Sequence, residues 1–394
     1  MCVTSDWKRR CVKLGVTSVT SLLLLLLLAG VLLAYYSSSA CIHGVPCGDG
    51  SCVWESQWCD GLRHCPAGQD EADCVRLHGS RSVLQIYASG GWRSVCSQGW
   101  SARQARASCL ELGYSRSFHA AAVCAQVCVT DRAAATSVWL RLQPLRLSSN
   151  SDACPGDSVV TLQCTDCGRG VNSSGGAWPW QVSLQLAGSH RCGGAIVSPY
   201  WLVTAACCVA REPRPAAWTV YTITANALRP LFAPARFVSR VLVHEGYNQH
   251  SQANDIALLR LAEALDLTDG SLVPVCLPNA GLNISQQQPG WISHLRPSGS
   301  GSLALAAERV SILDGVECNR SPQYRGRVGP DMLCAQGTSA AACQAESGSP
   351  LVTLEDGVWW LIGESIWAER CTEHNTGVHG NISYFQAWIR QQMK

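Results

Sequence analysis

Charged residues are scarce. Asp, Glu, Lys and Arg make up 15% of the 394 residues, and 30 basic side chains against 28 acidic ones leave a formal net charge of +2, where an ordinary globular chain is about 25% charged. No basic run interleaved with aromatics follows residue 13, which argues against a nucleic-acid partner. Charge is absent altogether from Leu14 to Tyr36, LGVTSVTSLLLLLLLAGVLLAYY. At ~1.5 Å per residue this segment matches a ~30 Å hydrocarbon layer with some tilt, and it predicts a membrane-crossing helix over 14–36. Lys8, Arg9, Arg10 and Lys13 precede it. The positive-inside rule therefore keeps residues 1–13 as a cytoplasmic tail and sends residues 37–394 outside. A cleaved leader ending at Ala40 is the competing reading, but the run exceeds the ~7–15 residues of a leader's apolar core, which favours an uncleaved signal-anchor.

Cysteine, in contrast, is plentiful and uneven. Of the 23, Cys2 and Cys11 precede the apolar segment and the other 21 follow it at spacings that suit disulfides. That distribution points to an oxidising compartment for the larger part of the chain. Asn172, Asn283 and Asn381 each begin an Asn-x-Ser sequon and are expected glycosylation sites on the same side. Cys2 and Cys11 flank the basic cluster, where palmitoylation competes with plain thiols.

Six cysteines fall between Cys41 and Cys74, closing on WCDGLRHCPAGQDEADC. A segment so short cannot bury enough apolar surface, so bridges and a metal must replace a core. Asp60, Asp70 and Glu71 cluster near its end. Hard oxygen ligands of this kind suit calcium, a solvated acidic loop being the plainer alternative. The run resembles an LDL-receptor class A repeat over 41–74. The resemblance implies Cys41 paired with Cys52, Cys47 with Cys65, and Cys59 with Cys74, and Ca2+ on Asp60, Asp70 and Glu71; His64 stands where many repeats have another Asp.

Next, SVLQIYASGGWRSVCSQGWSARQARASCLELGY reads as two strands and a helix. Ser101 is its N-cap, Ala105, Cys109 and Leu112 share one face, and Gly113 marks the stop. This stretch resembles a scavenger-receptor cysteine-rich domain over 75–164, which implies Cys96 with Cys154 and Cys109 with Cys164. Cys124 and Cys128 are extra to that pattern and are expected to pair with each other. Such a domain implies binding or spacing, and no residue in it suggests catalysis.

After Cys167, the Gly and Ser-rich GRGVNSSGGA leads into WPWQVSLQL, whose polar and apolar residues alternate as in a half-buried strand. AIVSPYWLVTA, FVSRVLVHEGY, DIALLRL and VWWLIGESIW are further β-type runs, together reading as an all-β barrel or sandwich. SYFQAWIRQQMK places Phe385, Trp388 and Ile389 on one helical face, which should dock on that body. The ordered motifs WPWQVSL, CGGAIVSPYWLVTAA, NDIALLRL, PVCLP, ACQAESGSPLV and AWIRQQM resemble a chymotrypsin-like, trypsin-family serine protease domain. With the anchor and the two modules, the whole chain is similar to the type II transmembrane serine proteases. The resemblance implies a mostly β chain whose residues 178–394 form a double six-stranded β-barrel with a C-terminal helix, after a linker over 165–177. It also implies disulfides Cys192 with Cys208, Cys318 with Cys334, Cys343 with Cys371 and Cys167 with Cys276. Ten pairs consume all exterior cysteines but Cys207.

Cys207 ends the strand-like VTAACCV, where the resemblance places the catalytic histidine of the motif T-A-A-H-C. Asp255 and Ser347 match the orienting carboxylate and the nucleophile. A serine hydroxyl needs a base that takes its proton and returns it to the leaving amine. A thiol of pKa ~8.5 is mostly neutral at neutral pH, has no second nitrogen to face a carboxylate, and is pushed higher by one. Loss of the base costs on the order of 10⁶ in kcat, roughly 8 kcal/mol. Other elements are missing too. The family's R-I-V-G-G type activation sequence is absent, only Arg169 precedes GVNSSGGAWPW, and Glu346 replaces the Asp that receives the new terminus. Ala345 replaces the glycine of the oxyanion hole, which Ser347 shares, and Ala341 removes the charge from the base of the specificity pocket. Ile366, Ala368 and Arg370, around Trp367, replace small residues along the binding edge and should narrow or fill it, and WISHLRP departs from W-x-S-G-W-G.

The expected protein is therefore a catalytically inactive serine protease homologue, single-pass type II in the plasma membrane, whose ectodomain binds extracellular proteins: a protease, a substrate, an inhibitor or a scavenger-receptor ligand. No cofactor is expected for its protease-like domain. The rival expectation is an active cell-surface serine endopeptidase of altered specificity, which requires another base for Ser347 and cleavage after Arg169.

Overall fold

The apolar runs of the last 220 or so residues close into two barrels, not a sandwich. The structure, a computed structural model, describes residues 45–54, 57–59, 62–72, 74–88, 91–97, 100–112, 159–165, 167–171, 178–223, 234–284, 287–297, 303–313, 315–320, 324–339, 343, 345–368 and 375–393. The expected cytoplasmic tail and anchor, Cys41, Asp60, Cys124, Cys128, Cys154, Asn172, Ala341, Arg370 and Cys371 lie outside these residues. Among the described residues no helix is long and apolar enough to cross a membrane.

The chain divides into two compact units between residues 72 and 73. In the first, β1 (Val45–Pro46) pairs antiparallel with β2 (Cys52–Val53), and a 3-10 turn covers Gln69–Glu71. Its buried apolar side chains are Cys47, Val53 and Cys65, and the expected Cys47–Cys65 bridge is present. So small a cluster is the deficit that disulfides offset.

The second unit opens with β3 (Val75–His78), β4 (Val83–Ala88) and β5 (Gly91–Ser94) in one antiparallel sheet, covered by α1 (Ala102–Glu111). Ser101 caps α1 in a capping box. Gln104 N–H donates to its hydroxyl at 3.4 Å, and Gln104 Oε1 accepts from Ser101 N–H at 2.7 Å. Ala105, Cys109 and Leu112 face a core of Leu77, Leu84, Ile86 and Trp100, and Cys109 is bridged to Cys164.

The first barrel contains β6 (Gln181–Leu186), β7 (Ser189–Ile196), β8 (Trp201–Thr204), β9 (Trp218–Thr222), β10 (Arg236–Val243) and β11 (Ala257–Leu261), in the order β10-β11-β8-β7-β6-β9. A single-turn helix, α2 (Ala206–Val209), follows β8. The second barrel contains β12 (Pro289–Pro297), β13 (Leu303–Leu313), β14 (Met332–Gly337), β15 (Pro350–Glu355), β16 (Val358–Ala368) and β17 (Thr376–Asn381), in the order β12-β13-β14-β17-β16-β15. A short α3 (Gly315–Arg320) lies before β14, and α4 (Gln386–Met393) ends the chain with Trp388 and Ile389 buried.

Strand β6 is not half-buried as its alternation predicts. Gln181 and Ser183 are as buried as Val182 and Leu184. Its polar face meets the second barrel at Gln181, where Ser293 Oγ donates to Gln181 Oε1 at 2.7 Å, while Ser183 Oγ meets His190 Nδ1 of the neighbouring β7 at 2.8 Å. One polar residue is satisfied between barrels and the other within the first. Trp178, Trp180 and Trp291 surround Trp359 with ring centroids 5.5, 5.9 and 5.1 Å away. This aromatic knot joins the entry to the first barrel to β12 and β16 of the second.

Candidate active site

Three buried supports position the triad-like residues. The wholly buried β8 runs through Ala205 into α2, which carries Cys207, and the Cys192–Cys208 disulfide ties that turn to β7. Asp255 sits two residues before β11, with Ile256 buried behind it. The Ser347 turn is held from both sides. Gly193 N–H donates to Ser347 O at 3.0 Å, and Gly348 N–H donates to Ser365 O at 2.7 Å. Gly348 has φ +80, and a β-carbon there would strike Thr204 Oγ1 and the Gly193 carbonyl, so this turn demands glycine.

The fold thus brings Cys207, Asp255 and Ser347 together. Cys207 N–H donates to Asp255 Oδ1 at 2.7 Å, and the thiol is close enough for both Asp255 and Ser347 to bear on its titration. Cys207 is free. Burial first, then the Asp255 charge, pushes its thiol far above the usual range, and the Ser347 contact opposes this only weakly. A thiol held neutral cannot accept the serine proton. Asp255 is 1% exposed, and burial lifts its carboxyl to about 6, against the Cys207 and Ala206 N–H donors that favour the charge. Its Oδ2 has no hydrogen-bond partner among the described residues. The Ser347 hydroxyl donates to the Ile366 carbonyl at 3.4 Å.

Ile366 is buried in a cluster with Ala205, Tyr324 and Val378, against which Cys207 packs. Trp367 stacks edge-on with Tyr324 at 5.5 Å, and the Arg327 guanidinium lies 4.9 Å from its ring. Ala368 closes the same strand. Ala345 is absent from the residues with positive φ, so its backbone stays in the region ordinary side chains adopt. Glu346 is engaged from within the chain. Its Oε1 accepts Leu295 N–H at 2.9 Å and lies 3.9 Å from His190 Nε2, while burial raises its pKa. Arg169 and Gly170 are exposed, with Cys167 bridged to Cys276 just before them.

The expected disulfides Cys192–Cys208, Cys318–Cys334 and Cys167–Cys276 are present. Cys52, Cys59, Cys74, Cys96 and Cys343 are also disulfide-bonded. Asn283 is exposed. Asn381 is half-buried and uses its amide locally, donating to Pro330 O at 3.3 Å and accepting Ser383 N–H at 3.2 Å. In the first unit Asp70 and Glu71 are fully buried in the 3-10 turn, and Asp70 Oδ2 accepts the His64 N–H. Asp60, the third expected calcium ligand, lies outside the described residues, and among those no group of three or more His, Cys, Asp or Glu comes together as a metal site would need.

Two residues beside the centre escaped the sequence reading. Glu364, on β16, is 1% exposed, and neither carboxylate oxygen has a hydrogen-bond partner among the described residues. Burial and the nearby Asp255 charge raise its pKa well above the ordinary range. His379, across β16 on β17, is fully buried and held neutral by burial, its pKa lowered to about 3. One signal was available: Glu364 is the sole charged residue in VWWLIGESIW.

Comparison with known proteins gives two family matches. The family described as "Trypsin" matches residues 167–389, and the "Scavenger receptor cysteine-rich domain" matches residues 79–171. Human "Transmembrane protease serine 5" is 33% identical over 332 residues, covering 77% of this chain and 71% of that protein.

Proposed function

The chain belongs to the trypsin family, and from that premise we propose that it is a catalytically inactive, membrane-anchored member whose ectodomain works by binding extracellular proteins. The observation that carries this is the Cys207 thiol, neutral and wedged between Asp255 and Ser347 where a base must stand. Supporting it are the Ile366 carbonyl, which takes the Ser347 hydroxyl's hydrogen bond, the ordinary backbone of Ala345, and Glu346, which already accepts Leu295 N–H. Three separate elements depart from what hydrolysis needs, so restoring one side chain does not restore the reaction.

The test is fluorophosphonate labelling and peptide turnover by the full-length chain, before and after trypsin nicking, beside Cys207→His. Neither protein is expected to label at Ser347. Labelling and turnover by the unmodified chain would instead establish a cell-surface serine endopeptidase with a different base.

The remaining roles belong to the same proposal. Residues 14–36 anchor the chain as a type II single-pass protein, with 1–13 cytoplasmic. Residues 41–74 form an LDL-receptor class A module in which Asp60, Asp70 and Glu71 would hold calcium, and the scavenger-receptor domain supplies a further binding face. Within the family, the motifs of the protease-like domain and the expected order of the modules are also what motivates reading the chain as similar to transmembrane protease serine 2. Candidate partners are a protease, its substrate or inhibitor, or a ligand of the scavenger-receptor domain.

A further inference from the structure

The outer face of the first barrel carries an arrangement that a sheet does not favour. On β10 and β11, Arg240 lies directly opposite Arg260. Like charges facing across an antiparallel pair repel. The register that makes them face is produced by a bulge between Val238 and Arg240, and bulges commonly re-aim a side chain. Among the described residues the ion pairs involve His190, Arg214, Arg296 and Arg320, and neither Arg240 nor Arg260. Arg240 is exposed; Arg260 lies 5.2 Å from the ring of Tyr200 and reaches Ser239 Oγ at 3.5 Å. Two positions before the bulged Ser239, Phe237 is 66% exposed, the most exposed large apolar side chain on either barrel among the described residues. Arg236, its neighbour in the strand, alternates to the other face, shared with the buried Val238.

We propose that this face, built from Phe237, Arg240, Arg260 and Tyr200, docks an acidic protein segment that presents an apolar side chain next to its carboxylates. A carboxylate between Arg240 and Arg260 converts their repulsion into two charge-assisted contacts. The exposed Phe237 ring, beside the half-buried Tyr200, selects a peptide over a uniformly sulfated glycan, which has no apolar group to bury on it. The surface is independent of the chemistry at Ser347, so it stands whether or not the chain hydrolyses peptides.

The test is binding of a fluorescent peptide of Glu and Asp residues interspersed with Leu and Phe to the full-length chain, beside an all-Glu peptide, a Lys-containing counterpart and heparin oligosaccharide. The Glu/Leu/Phe peptide is expected to bind best and to weaken as salt is raised. Arg240→Glu is expected to weaken it about tenfold or more, and Phe237→Ser by about threefold. The double variant Arg240→Glu, Arg260→Glu should gain affinity for the Lys-containing peptide, a gain that misfolding does not produce. Peptide binding that these substitutions leave unchanged, or heparin binding without peptide binding, would overturn the proposal.

Discussion

At the scale of single residues, the centre holds more buried negative charge than its hydrogen bonds support. Burial lifts Asp255 to about 6 and Glu364 well above the ordinary carboxylate range. Each therefore keeps its proton in the folded chain at pH values where the unfolded chain has lost it. The folded state then binds more protons, so these groups make stability fall as pH rises from about 4 through 6, and further for Glu364. Glu364→Gln keeps the shape and removes the ionisation. It is expected to raise the melting temperature by a few degrees at about pH 8 and hardly at all at about pH 4. Equal shifts at both pH values would show that the gain is packing alone. The free Cys207 was legible, because the VTAACCV motif around it is local and the bridging of Cys208 leaves it over. Glu364 was not, since its cost arises from strands β15 and β17 covering it on either side.

Among the elements, α4 shows why a short helix can matter to a barrel. Its eight residues stand little chance alone, yet Trp388 is 1% exposed, lies 5.0 Å from the His244 ring and donates from Nε1 to Glu245 Oε2 at 2.8 Å. Trp388→Ala is expected to cost about 3–5 kcal/mol in denaturant unfolding. Trp388→Phe, which keeps the ring packing and loses the hydrogen bond, should cost only about 1 kcal/mol. A comparable loss in both variants would shift the weight from packing to the Glu245 contact. The same logic scales down for α1, where Ser101→Ala removes the capping box and is expected to cost about 1 kcal/mol. Helix faces and caps were readable from spacing. The burial of both faces of β6 was not, because it depends on a second barrel more than a hundred residues away supplying Ser293 to Gln181.

For the whole molecule, covalent and polar ties join the scavenger-receptor domain to the barrels. Cys167 is bridged to Cys276, and Gly168, at φ +62, lets the chain lie against the Trp359 backbone where a β-carbon would clash. Asn279 Nδ2 donates to Gly79 O at 2.9 Å and Ser82 Oγ at 2.8 Å. Cleavage after Arg169 is therefore expected to leave both fragments on one non-reducing gel band, separated only by reductant, with no serine labelling gained. Asn279→Ala removes both side-chain contacts while Ser82 N–H still donates to Gly79 O at 3.1 Å; it is expected to cost about 0.5–1.5 kcal/mol and to split one melting transition of domain and barrels into two. An unchanged single transition would mean the domains are coupled by the disulfide alone. The sequence by itself determined the family, the cap of α1 and the buried face of α4, since each is written in contiguous motifs or in side-chain spacing within one element. Only the tertiary structure decided that the Ile366 carbonyl accepts the Ser347 hydroxyl, that Glu346 accepts Leu295 N–H, and that a bulge sets Arg240 across from Arg260. Those are relations between strands distant in sequence, set by barrel closure and register, which no local pattern encodes.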